Sequence, residues 1–304
     1  MSWQAAEVAE TSEVAEARST AIGRVARSRL VTRFGRDKVA MTALVFLAGL
    51  IVIAVFAPRI APYSPTQNFP AINAGPSRAH WLGTDWIGRD LMTRLMYGAR
   101  VSLEAAFVSV VLALLIALPL GLIAGYFRGA TDSVIMRVMD AMFAFPPLLL
   151  AITITAFLGK SLHNVIIAIA VTFIPGMVRV IRGQVLSVRE ETFIEASQSA
   201  GAGPRRMLVR HVLPNVASPL IVQSALAFGF AILAEAGLSF LGLGVQPPAA
   251  SWGVMLQEQY QYVLSNVWGA LIPGVAIALT VLAFNLVGDG MRDALGRERV
   301  AGKA

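Results

Sequence analysis

The side chains that carry covalent or metal chemistry are scarce in this sequence and badly spaced for it. There is no cysteine, so no disulfide, thiolate nucleophile or cysteine-ligated metal, and no indication of redox compartment. The three histidines, His80, His163 and His211, lie far apart and form no H-x-x-x-H pair of the kind that seats zinc on a helix. The tract LGKS at 158–161 approaches a phosphate-binding loop, but position 154, where its first glycine belongs, is Ile154, and the tract ends an apolar run rather than following a strand. GLGVQP at 242–247 lacks the third glycine of a dinucleotide fingerprint. Two acidic positions stand inside apolar runs. Glu235 is an intramembrane carboxylate in a translocation path or a buried structural group. Asp140, three residues after Arg137, shares a helix face with it, where the two can pair or snorkel, a structural role and not chemistry.

One compact stretch differs in kind: EETFIEASQSAGAGPRRMLVRHVLPN, residues 190–215. Glu190, Glu191, Glu195, Ala196 and Ala200 favour a helix. Gly201 stands where a helix ends in the left-handed region. Pro204 suits the first turn of a second helix over 204–213, and Pro214 is expected to stop it. The pair presents an apolar edge of Phe193, Ala196, Ala200, Met207, Leu208 and Val212. That edge buries itself either against the chain's own helices or in a separate soluble partner.

The rest of the chain sets where that stretch sits. Of 304 residues 56% are hydrophobic and 14% charged, with mean hydropathy +0.67, a membrane composition. The net charge of +7 gathers between apolar runs, which points to a charged membrane face and not to nucleic acid. Residues 1–21, with EVAE twice, read as a disordered tail. In 22–38, arginines alternate with Ile22, Val25, Leu30, Val31 and Phe34, as in a helix lying on an anionic bilayer or a solvated basic tail. Six runs are long enough to cross: 39–57, 103–126, 134–158, 164–180, 218–241 and 267–287. Pro146-Pro147 bends the third, and the fourth is short and, holding Pro175 and Gly176, kinked or tilted. Gly121-x-x-x-Gly125 permits a close helix crossing. With the N-terminus inside, 19 of the 25 basic residues fall in inner segments, so both termini are expected in the cytoplasm, with 58–102 as a long outer loop. The 190–215 stretch is then the one long cytoplasmic loop, and 297–304 a short tail.

That stretch resembles the EAA loop of bacterial ABC importer permeases, whose pattern is E-A-A, three residues, Gly, nine residues, then I-x-L-P. Glu195-Ala196-Ser197, Gly201 and Leu213-Pro214 match at the right spacing; Ser197 replaces the third alanine and His211 replaces isoleucine. RHVLPN is similar to the peptide-transporter branch, as are residues 80–103, DAMFAFPPLLLAI (140–152), 233–256 and NLVGDGMRDALG (285–296). The resemblance, to the second-permease (C-type) branch of the dipeptide/oligopeptide/nickel family, covers roughly residues 25–297. It implies an all-α integral membrane protein with six transmembrane helices over 39–296, the type I ABC importer permease fold. It also implies that the loop is a coupling helix seated in a cytoplasmic ATPase. Partners would be a homologous permease, two ATPase subunits that bind ATP and Mg, an extracytoplasmic binding protein and membrane lipid. The chain itself would hold no cofactor. A self-sufficient secondary transporter would need coupling-ion residues and internal repeats. A membrane enzyme would need a nucleophile or metal constellation. Neither is seen in the sequence.

Overall fold

A computed structural model describes residues 34–199, 201, 203–264 and 266–301. The expected tail 1–21, residues 22–33 of the basic segment 22–38, and Ala200 lie outside the described residues.

Long apolar helices account for more than half of the described residues. They are α1 (Lys38–Ile60), α2 (Leu91–Phe127), α5 (Leu162–Arg189), α8 (Leu213–Phe240) and α10 (Val267–Ala301). Each is long and apolar enough to cross a bilayer. A sixth candidate is a bent pair, α3 (Gly129–Phe143) and α4 (Pro147–Leu158), which meet at 86°. Pro146 and Pro147 make that break, as the sequence predicts: neither can donate a backbone hydrogen bond to the turn before it. Among the described residues there is no strand, only two isolated bridges in the 58–90 segment.

Two boundaries differ from expectation. The expected loop 58–102 is helical from Leu91, so α2 runs 37 residues. Asp90 caps it by accepting from the Thr93 N–H. The fourth run, expected to be short, is a 28-residue helix that passes through Pro175. At the other end, α10 continues through residues expected to be tail, to Ala301.

The core is the α2–α5 crossing. Gly121 and Gly125 let the backbones close up: a Cβ on Gly121 would stand 2.6 Å from Ile181 Cβ, and one on Gly125 2.7 Å from Val185 Cβ. Around them Val110, Ala113, Ala117, Val178 and Ile181 are fully buried. The small-x-x-x-small motif is thus spent within this chain. Arg189 Nη1 donates to the Tyr126 carbonyl (2.6 Å), and Arg128 faces Glu190 at 3.5 Å. The C-terminal ends of α2 and α5 therefore lie side by side.

Candidate functional site

The 190–215 stretch folds as two helical pieces about a glycine. α6 (Thr192–Ser199) carries Phe193, Glu195 and Ala196. Gly201 has φ +82°, the left-handed conformation expected of it. Gly203 is extended, and Pro204 opens α7 (Pro204–Arg206) at its first turn.

From there the structure departs from the sequence reading. Pro214 does not stop the second helix. A π-helical turn, Met207–Val212, runs straight into α8, whose first turn holds Leu213 and Pro214. The Leu213 N–H donates to the Leu208 carbonyl five residues back. This wider turn removes the usual clash between a proline ring and the carbonyl four residues earlier, so the chain stays helical.

The docking edge is also different. Met207 and Val212 are fully buried in the chain's own core, and Leu208 packs against it. They are not available to a partner. Residues five apart share a face across a π turn, which puts Met207 and Val212 inward together, with Val216 continuing the face. On α6 the buried residue is Ile194, which the sequence reading passed over; Phe193 beside it is 43% exposed. Val209, 60% exposed, and the guanidinium-bearing Arg205 and Arg206 complete the outward face. The Phe193 and His211 rings lie 6.5 Å apart across the two pieces. The site is thus clamped from beneath by Ile194, Met207 and Val212, and presents Phe193, Val209 and arginines.

Charged pairs tie the neighbouring helices at the same end. Arg182 on α5 grips Asp132 on α3 through Nε and Nη2 (2.5 and 2.6 Å). Asp140 does not pair with Arg137. It accepts from Arg179 of α5 at 2.6 Å, and that guanidinium also lies 4.1 Å from the centre of the Phe143 ring. A partner from another helix that is held by an aromatic face outcompetes the local one.

At the opposite end a second set of charges is buried. Arg89 and Arg94 both donate to Glu258 Oε2 (2.8 and 2.6 Å), and Arg89 Nε donates to Asp85 (2.5 Å). His80 Nδ1 lies 2.9 Å from Asp90. This ties the 58–90 segment and the head of α2 to α9 (Trp252–Tyr260). Trp252 reinforces it, its Nε1 donating to the Leu95 carbonyl. The sequence reading assigned none of these roles: Glu258 lies 169 and 164 residues from its two arginines and Trp252 157 from Leu95, while Asp85 and Asp90, close in sequence to their partners, stand in a stretch read as loop.

Glu235 is fully buried at the meeting of α2, α8 and α9. Its Oε1 accepts from Ser239 at 2.7 Å, Oε2 has no partner among the described residues, and Ser102 and Ser251 lie beside the group. The structure thus places it in the chain's interior. LGKS is a helix junction: Gly159, at φ +97°, closes α4, and Ser161 caps α5 by accepting from the Asn164 N–H.

A bundle of long apolar helices with a clamped helical loop at one end is that of a multi-pass membrane permease. Residues 117–300 match the family model described as "Binding-protein-dependent transport system inner membrane component", and residues 28–76 match "N-terminal TM domain of oligopeptide transport permease C". The chain is 47% identical over 261 residues, 86% of each chain, to the dipeptide transport system permease protein DppC of Alkalihalophilus pseudofirmus. It is 45% identical over 265 residues to the glutathione transport system permease protein GsiD of Pectobacterium atrosepticum, covering 86% of this chain and 88% of that one. A chain of the MetNI methionine ABC transporter, solved in an inward-facing form, shares the fold. Its TM-score is 0.56 at 21% identity, over 67% of this chain and 97% of its own. The protein belongs to the binding-protein-dependent transport system inner membrane component family, as a permease subunit of an ABC importer. That family is non-catalytic and works with ATPase and partner-permease subunits.

Proposed function

We propose that this chain is one of two homologous permeases that together enclose a path for di- or oligopeptides, driven by two cytoplasmic ATPases that bind ATP and Mg. The observation that carries the substrate class is the pair of relatives named for dipeptide and glutathione. Both compounds are short peptides with charged termini. An extracytoplasmic binding protein delivers the substrate, and the membrane is the bacterial inner membrane.

In this reading the chain crosses six times, with both termini in the cytoplasm. The adjoining C-terminal ends of α2 and α5 support the count: for α5 to return beside the end of α2, α3 and α4 together must make one crossing. The arginines of the 190–215 stretch support the orientation. Phe193, Glu195, Ala196, Ala200, Gly201, Pro204, His211, Leu213 and Pro214 form the coupling element, with Val209 added to its docking face. Met207, Leu208 and Val212 anchor it from below. Closure of the ATPases moves this element, and the continuous helix from Pro204 to Phe240 carries the motion to the opposite end.

The test is ATP hydrolysis by the whole assembly reconstituted with its binding protein. Dipeptides, oligopeptides or glutathione should stimulate it. Stimulation by nickel alone, or by no peptide, overturns the substrate class.

A further inference from the structure

A groove of ≈ 570 Å³ lies between α1, α2, α8 and α10. Sites for small ligands commonly span ~300–1,000 Å³. Its wall is apolar except for two charges on α2, Arg100 and Glu104. They are one helical turn apart and share a face, with Cβ atoms ~5–6 Å apart by helix geometry. Both are exposed in this chain, and neither forms an ion pair among the described residues. An unpaired acid and base beside apolar helices are costly unless something meets them.

The depth of each residue gives the shape of what fits. Val55 lies five residues before the end of α1, so the groove's mouth is near that end. Phe107 is seven residues further along α2 than Arg100, about 10 Å deeper. Phe228 lies twelve residues before the end of α8, about 18 Å from it. Phe107, Phe228 and Phe284 form the floor, with ring centres 5.9 and 5.5 Å apart. The groove therefore has a positive and a negative group at interfacial depth and an aromatic floor toward the middle of the bilayer. It also lies between the N-terminal segment matched at 28–76 and the transport segment matched at 117–300.

We propose that this groove holds a phospholipid with an ethanolamine-type headgroup: phosphate on Arg100, ammonium on Glu104, and an acyl chain along the three phenylalanines. Arginine's planar fork suits phosphate. An ionised glutamate only accepts hydrogen bonds, so it selects a headgroup that donates them. A choline headgroup has no N–H to give, and the neutral glycerol of a phosphatidylglycerol headgroup offers Glu104 hydroxyls but no cation. The leaflet follows the topology proposed above and is the outer one. Headgroup preference is independent of orientation, so the two readings fail separately.

The experiment is native mass spectrometry of the assembled importer, equilibrated with equal amounts of phosphatidylethanolamine, phosphatidylcholine and phosphatidylglycerol of the same acyl chains. The expected result is retention of phosphatidylethanolamine at ~10-fold over phosphatidylcholine, the scale of one charge-assisted hydrogen bond. Glu104→Gln should erase that preference. Arg100→Gln should lower retention of all three. Leu103→Trp, which fills the groove while keeping both charged residues, should expel the lipid. The wild-type comparison stands by itself if a variant fails to assemble. Equal retention of the three lipids by the wild type overturns the proposal, as does an unchanged preference in Glu104→Gln. Displacement of the lipid by saturating dipeptide would also overturn it and assign the groove to substrate.

Discussion

Replacing Gly201 by valine isolates the backbone contribution to coupling. Gly201 has φ +82°, and a Cβ built on it meets nothing within 4 Å. Bulk within this chain therefore contributes nothing, and the cost is conformational. A β-branched residue in the left-handed region costs about 1–2 kcal/mol. Since ~1.4 kcal/mol is tenfold in an equilibrium constant, the native turn loses roughly five- to thirtyfold in population relative to alternatives. Ile194 before the turn and Met207 after it remain buried, and the α2–α5 crossing is untouched, so membrane levels should stay normal. Peptide uptake should fall about tenfold or more, with loss of ATPase co-purification or hydrolysis uncoupled from substrate. The series Gly, Asn, Ala, Val separates strain from size. Asparagine is larger than alanine but tolerates the left-handed region better, so uptake should fall in that order. Wild-type uptake by Gly201→Val at matched expression, or asparagine worse than alanine, would refute the backbone argument.

Asp132 and Arg182 are partly exposed, at 15% and 31%, and joined through two hydrogen bonds. A double-mutant cycle with Asp132→Asn and Arg182→Gln should give a coupling of about 1–2 kcal/mol in unfolding of the solubilised complex, and an additive result would dismiss the pair. Glu258→Gln leaves Arg89 and Arg94 buried with only Asp85 as anion. About 3–5 kcal/mol should be lost, read as reduced folded yield and faster proteolysis of 58–90. The absence of native cysteine makes topology direct: Gly203→Cys should be labelled by impermeant maleimide only from the cytoplasm and Leu264→Cys only from outside. Labelling of Gly203→Cys in sealed cells would invert the map.

What the sequence made legible depends on where the deciding partner lies. Apolar length is a local property, so the spans could be read; so were the break at Pro146-Pro147 and the left-handed Gly201, each set by one residue's own backbone. Pro214 could not be read, because whether a proline ends a helix depends on the preceding turn. Here that turn widens to a π turn and keeps the helix whole. The same widening turned Met207 and Val212 inward together, so an edge drawn with ordinary helical spacing misassigned them. Arg137 and Asp140 have the spacing of a pair, yet Arg179, 39 residues away, takes the carboxylate. The largest miss, the helical residues 91–102, has the same cause. That stretch is too polar to read as a span, and the one nearby anion facing Arg94, Asp85, is shared with Arg89. Glu258 completes the balance from 164 residues away. A helix carrying a buried arginine is stable only with its counter-charge in place. The head of α2 therefore depends on α9, and through Trp252 and the serines around Glu235 on α8 as well. The ends of these helices opposite the coupling loop are thus one interlocked unit, and motion delivered along α8 reaches that unit as a whole.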